Sequence, residues 1–153
     1  MIDEPRIVQT STQEMACIHI TTPREKIQEV MGPGYMELME TLKAQGATPS
    51  GPWFTHHLKM DPDIFDFEIC LPVLAPVQPA GRMLPGQLRA ARVARTVHHG
   101  GYEGLSDAWV ALEAWIKKKG QTSAPDLWEI YLTGPEMGSD SSKWQTELNR
   151  PLK

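Results

Sequence analysis

Cysteine is scarce: Cys17 and Cys70 are the only two in 153 residues, far apart and with no Cys-x-x-Cys spacing. This speaks against a disulfide framework and against a thiolate-rich metal module. Both read as reduced, small residues in or near the core of a cytosolic protein. No span of about twenty apolar residues occurs, and no apolar N-terminal stretch, so neither membrane insertion nor secretion is expected. Basic runs are nearly missing too. The 15 Lys and Arg are outnumbered by 19 Asp and Glu, giving a net charge of −4, which argues against a footprint for nucleic-acid phosphates. The one basic cluster, Lys117-Lys118-Lys119, precedes Gly120 at a predicted helix end, where it complements the helix dipole.

The chain does have 41% hydrophobic and 22% charged residues, enough for one domain, 1–153, with its own core. Residues 5–10 read as a short strand and 15–22 as a second, with Ala16, Ile18 and Ile20 on one side. Thr22-Pro23 supplies a cap and an N1 proline for a helix over 24–42, carried by Ile27, Val30, Leu38 and Leu42. Gly32-Pro33-Gly34 is expected to break that helix in two, and Gly46 to end it. Strands follow over 53–58 and 64–71; the second alternates Phe65, Phe67, Ile69 and Leu71 against Asp66 and Glu68. The Pro/Gly-rich stretch 76–86 is a connector expected to lie against the body. Residues 89–98 resume with a strand. The clearest helix spans 102–119, with Tyr102, Leu105, Trp109, Leu112 and Ile116 on one stripe. Strands over 125–132 and 143–149 complete the chain.

The order strand, helix, strand, strand therefore occurs twice. Laying Gly46 on Gly120, a shift of 74, puts Phe54 on Trp128, Thr55 on Glu129 and His57 on Tyr131. A slightly larger shift brings Glu68 onto Glu147 and Pro72 onto Pro151. This predicts an α+β fold of duplicated βαββ units: a first repeat about 13–75, a connector about 76–88 and a second repeat about 89–153. The units would form one antiparallel sheet with two helices on one face, leaving the opposite face partly concave at the pseudo-twofold axis.

Within the second repeat, period-two geometry sends Glu129 and Tyr131 to one face and Trp128 and Ile130 to the other. A carboxylate placed mid-strand among aromatics is costly to desolvate unless a cation, hydrogen-bond donors or water compensate. The plain reading is an edge-strand Glu in solvent, or one paired with Arg82 or Arg92. Comparison of the halves separates two kinds of glutamate. Glu68 and Glu147 occur in both, which suggests a shared structural task. Glu129 faces Thr55 and Tyr131 faces His57, an asymmetry suited to one ligand near the axis.

The chain resembles the GyrI-like small-molecule-binding family, which includes the effector domains of multidrug-responsive bacterial regulators. The resemblance is carried by His98-His99-Gly100-Gly101-Tyr102-Glu103-Gly104-Leu105, the helix through Trp109, Leu112 and Trp115, Trp128-Glu129-Ile130-Tyr131, Thr146-Glu147-Leu148 with Pro151-Leu152, and Phe67-Glu68-Ile69-Cys70-Leu71-Pro72-Val73. It implies a ligand cleft between the halves at the pseudo-twofold axis, with Glu129 facing it beside aromatic side chains. It implies lipophilic, often cationic ligands, and in some relatives hydrolysis of electrophilic compounds such as cyclopropane-bearing genotoxins. In regulators a DNA-binding segment comes first; none precedes the domain in this sequence, and a standalone cytoplasmic domain is expected. DNA gyrase as a protein partner rests on family analogy alone.

A glutamate walled by Trp and Tyr suits a flat organic cation, since ring faces attract cations and little water screens the carboxylate. Alternatively, Glu129 serves as a general base toward water, with the Tyr131 hydroxyl donating to the leaving or carbonyl oxygen. Candidate wall residues are Trp109, Phe54, His57, Trp53 and Tyr102, each also compatible with ordinary packing. His56-His57 and His98-His99 alternate faces, so each pair offers at most one ligand per site, and no metal or other cofactor is expected. No serine sits in a nucleophile elbow.

Overall fold

Alternation of apolar and polar side chains builds the strands of both repeats, and one buried helical stripe per repeat covers them. The computed structural model describes residues 2–134, 138 and 140–153. In order, the elements are β1 (Arg6–Gln9), β2 (Gln13–Pro23), α1 (Ile27–Ala44), β3 (Phe54–Met60), β4 (Ile64–Pro72), β5 (Leu84–Leu88), β6 (Arg92–His99), α2 (Leu105–Lys118), β7 (Leu127–Thr133) and β8 (Gln145–Pro151). Short 3-10 turns, Arg24–Lys26 and Tyr102–Gly104, lead into the two helices. The elements divide into a unit of Ser11–Ala90 and a unit of the residues up to Thr10 with Ala91–Lys153.

In the 11–90 unit the antiparallel strand order is β3-β4-β2-β5. Ile20, Phe67, Ile69 and Leu71 pack with Leu38 and Leu42 of α1. In the other unit the order is β7-β8-β6-β1, also antiparallel, and Ala94 and Leu148 pack with Ala108, Leu112 and Ile116 of α2. Each unit is thus a βαββ motif with one added edge strand, and the fold is α+β. The two helices end alike. Gly46 and Gly120 both take a positive φ of 71°, and Ala47 and Gln121 each donate back to Leu42 and Ile116, which is a Schellman motif. A β-bulge also recurs, after His57 in β3 and after Tyr131 in β7.

Three expectations need correction. The first helix is not broken at Gly32-Pro33-Gly34: α1 runs through it, with Pro33 inside. Pro33 and Glu29 are both exposed, so the carbonyl freed by the missing N–H can be hydrated, while burial of Leu38 and Leu42 overrides the local penalty. Thr22 does not cap that helix; it belongs to β2, and Pro23 precedes the turn without a side-chain cap. The connector contains a strand, β5, which pairs with β2 and carries Pro85 on it. Pro is tolerated there because β5 is paired on one side within its unit.

On the sheet face turned from its helix, each repeat holds a glutamate in a cross-strand cluster. Glu147 pairs with Arg95 Nε at 3.2 Å and accepts from Asn149 Nδ2 at 3.1 Å. Glu68 is 3.1 Å from His56 Nδ1 and accepts from Cys17 Sγ at 3.4 Å. The shared task of these two glutamates is cross-strand pairing. The hydrogen bond from His56 holds the Glu68 carboxyl below its usual value despite partial burial.

Two predictions follow from packing and pairing. A Cβ at Gly34 would lie 2.5 Å from Ile69 Cδ1, whereas Gly32 has open space. Gly34→Ala should therefore lower stability by about 1–3 kcal/mol through overpacking, and Gly32→Ala should raise it by roughly 0.5–1 kcal/mol through helix propensity, both read from urea unfolding midpoints. Because the folded-state pKa of Glu68 is depressed, its contribution is present above the unfolded value and fades as pH falls through the folded one. Glu68→Gln should accordingly cost about 1 kcal/mol at pH 7, with the gap to wild type closing toward pH 3.

Candidate functional site

Glu129 lies in the middle of β7, directly opposite Leu148 of β8. Leu148 belongs to the core beneath α2, so Glu129 leaves the sheet on the helix-covered face, and Tyr131 does so two residues on. Glu129 was expected on the face turned from the helices. Periodicity separates the two faces of a strand without saying which one a helix will cover, and here Glu129 and Tyr131 are on the covered one. Only 8% of Glu129 is exposed, and Tyr131 is buried as well.

Both carboxylate oxygens of Glu129 receive donors. Trp109 Nε1 of α2 donates to Oε2 at 3.1 Å, and the Tyr131 hydroxyl donates to Oε1 at 3.4 Å, the longer and weaker of the two. The Trp109 contact is fixed by helix register: Ala108, Leu112 and Ile116 face the core, which leaves the neighbouring Trp109 partly buried at its margin, indole toward β7. Arg82 and Arg92, the arginines considered as alternative partners, are engaged elsewhere. Arg82 forks onto Glu37 and Arg92 donates to Gln121.

A ring wall adjoins this pair. Tyr102, on the turn before α2, meets Tyr131 edge-on at 5.7 Å between ring centroids and is tilted against Trp144 at 5.1 Å. Of the candidate residues, Glu129, Tyr131, Trp109 and Tyr102 therefore lie together in the unit of the second repeat. Sequence reasoning missed Trp144, which stands in irregular chain just before β8, where no hydrophobic period points to it. Its indole donates to Gly138 O at 3.2 Å.

Trp53, Phe54 and His57 belong to the 11–90 unit. His57 occupies the position equivalent to Tyr131 and faces α1: its ring stacks on Phe67 at 5.2 Å and lies 3.2 Å from Thr55 Oγ1. Phe54 is opposite Cys70, on the face turned from α1, and Trp53 packs against Tyr35 of α1 at 4.8 Å. Tyr35 is the counterpart of Trp109 at the same shift of 74. A hollow of about 400 Å³ in this unit, lined by residues including Thr48, Val73, Leu74 and Val77, has no titratable side chain in its lining and offers shape without charge.

The thiols are not nucleophiles. Burial, reinforced by Glu68, pushes Cys17 up to about 12, and burial raises Cys70 as well. Among the described residues, no three His, Cys, Asp or Glu side chains are grouped to hold a metal ion. Nor, among them, is any helix long and apolar enough to cross a membrane.

No curated protein matches the chain. Solved structures do. The EcmrR C-terminal domain superposes with a TM-score of 0.87 at 20% identity, over 98% of this chain and 97% of that one. In the EcmrR–DNA complex of EcmrR-RPo the TM-score is 0.86 at 21% identity over 98% of this chain, which spans only 57% of that one. SAV2435 bound to tetraphenylphosphonium gives 0.69 at 12% identity, over 99% of this chain and 94% of that one. A hydrolase from Listeria innocua gives 0.67 at 12% identity, over 98% and 92%. At these identities the likeness is one of fold. The sequence itself matches the GyrI-like small molecule binding domain over residues 3–153, and this chain therefore belongs to the GyrI-like small-molecule-binding family.

Proposed function

We propose that this chain binds lipophilic organic cations, with Glu129 as the charge that selects them. The observation that carries the reading is the setting of the Glu129 carboxylate: buried on the helix-covered face, its oxygens oriented by an indole N–H and a phenol O–H. These donors orient the carboxylate, and away from water a carboxylate attracts a cation more strongly than it would in solvent. Tyr102, Tyr131 and Trp144 supply ring faces beside it, each worth roughly 0.5–2 kcal/mol to a desolvated cation. The fold likeness to SAV2435, seen with tetraphenylphosphonium, supports the same ligand class.

A second reading draws on the Glu129–Tyr131 contact. A carboxylate and a hydroxyl 3.4 Å apart make a base and an acid for adding water to an electrophile, the base taking the proton of water and the phenol donating to the oxygen that gains charge. The fold likeness to the Listeria hydrolase points the same way.

Titration calorimetry separates charge from shape. Glu129→Gln should weaken tetraphenylphosphonium about tenfold or more, and a neutral compound of similar shape by less than about twofold. Equal weakening of both would remove the charge argument. For the second reading, wild type incubated with a cyclopropane-bearing electrophile should release product and Glu129→Gln should not. Intact binding with no release above background would retire hydrolysis.

A further inference from the structure

Next to Tyr131 the sheet carries a second polar feature that neither ligand reading uses. Tyr131 of β7 is directly opposite Thr146 of β8, and Thr146 is directly opposite His98 of β6. The three side chains therefore leave the sheet in one row on the helix-covered face. His98 is 3% exposed and Thr146 is fully buried. His98 Nε2 is 2.9 Å from Gly101 O. A carbonyl can only accept, so Nε2 carries the proton, and in the neutral ring Nδ1 presents a lone pair. Neither His98 Nδ1 nor Thr146 Oγ1 has a hydrogen-bond partner among the described residues. Directly opposed side chains start about 4.5–5.5 Å apart at Cβ.

The first repeat shows what the fold needs at these places. Its equivalent row is His57, Phe67 and Ile20, opposed in the same register, and Ile20 and Phe67 are buried in the core. An apolar pair satisfies the packing there. Replacing it with two buried polar atoms costs roughly 1–3 kcal/mol for each one left without a partner; the bond to Gly101 O accounts for His98 Nε2, but nothing in the packing accounts for Nδ1 or for Thr146 Oγ1. A partner must offset them. The one that fits both is an oxygen that donates to Nδ1 and accepts from the threonine hydroxyl.

We propose that His98 Nδ1 and Thr146 Oγ1 form a hydroxyl-binding subsite beside the ring wall, taking one O–H group that bridges the two. The O–H comes from a water molecule or from a hydroxyl on the bound ligand. The ligand source rests on the reading of Glu129 given above, and the water source does not. His98 gives the subsite its link to the ligand wall, because its Nε2–H holds Gly101, the residue before Tyr102, while Gly104 leaves room for the ring. A Cβ at Gly104 would lie 2.9 Å from His98 Cε1.

The test uses crystals of the full chain and the near-isosteric Thr146→Val variant. In ligand-free wild type, an ordered oxygen about 2.6–3.2 Å from both atoms identifies water as the occupant. In crystals grown with an aromatic quaternary ammonium bearing a hydroxyl, that hydroxyl at the same point identifies the ligand. Wild type would then favour it over its deoxy parent by about fivefold or more, a preference Thr146→Val erases. Where water is the occupant, Thr146→Val should lower Tm by about 2–4 °C; where the ligand hydroxyl is the occupant, the drop should show only with the hydroxylated ligand bound. No oxygen in either crystal, with Thr146→Val melting at or above wild type, overturns the subsite. If no cation binds at all, the Glu129 reading fails, while the ligand-free crystal and the melting of Thr146→Val still decide the subsite.

Discussion

A carboxylate on the helix-covered side of a sheet persists only where donors meet both of its oxygens. Glu129 depends on two separate local geometries to satisfy this. Period two in β7 returns Tyr131 to the same face, and helix register in α2 brings Trp109 to the margin of the core. The register is itself set by burial of Ala108, Leu112 and Ile116 against Ala94 and Leu148. Core packing thus determines where the indole N–H points, and the site inherits its geometry from residues that touch no ligand. Tyr102 enters from the turn ahead of α2 and closes the wall against Tyr131 and Trp144.

Comparing the two repeats position by position shows what the scaffold requires and what it leaves free. Leu38 and Leu112, Leu42 and Ile116, and Gly46 and Gly120 correspond, and so do the bulges after His57 and Tyr131. These are the packing stripe, the helix stop and the strand kink. On the helix-covered face the copies differ in polarity: Tyr35 against Trp109, Thr55 against Glu129, Phe67 against Thr146, Ile20 against His98. One copy keeps that face largely apolar and the other makes it polar. A bulge beside the divergent positions is common where a strand re-aims side chains toward a site.

Much of this was legible in the sequence because it is local. The alternation in β4, the stripe of α2 and the two helix-ending glycines are each decided within a few residues, and the duplication follows from repeating them. What was missed depends on distant contacts. β5 carries Leu-Pro-Gly, a turn composition, and is a strand because β2 offers it an edge. α1 continues through Pro33 because residues one and two turns further on are buried. The sharing of a face by Glu129 and Tyr131 could be read from period two, whereas the choice of face needed the helix. Trp144 carries no periodic signal, and only its ring contact with Tyr102 marks it.

The three strand glutamates make a last point about inferring function from residue type. Glu68, Glu129 and Glu147 all sit mid-strand in the same fold. Glu147 meets a guanidinium and an amide, and Glu68 meets an imidazole and a thiol, with its carboxyl held below the usual value. The contacts from Arg95, His56 and Cys17 run from strand to strand on the face turned from the helix, that from Asn149 runs along β8, and pairing between neighbouring strand residues accounts for them. Glu129 is in a more buried place and takes a donor from the helix, the Trp109 indole, beside the Tyr131 hydroxyl on its own strand. Such bonds orient the carboxylate. Burying a charge in this way is costly for stability and gains nothing for the fold that Thr55 does not already supply at the equivalent position. The difference in burial and donors is what sets Glu129 apart from the other two, and it is the basis of the proposal that Glu129 meets a cation.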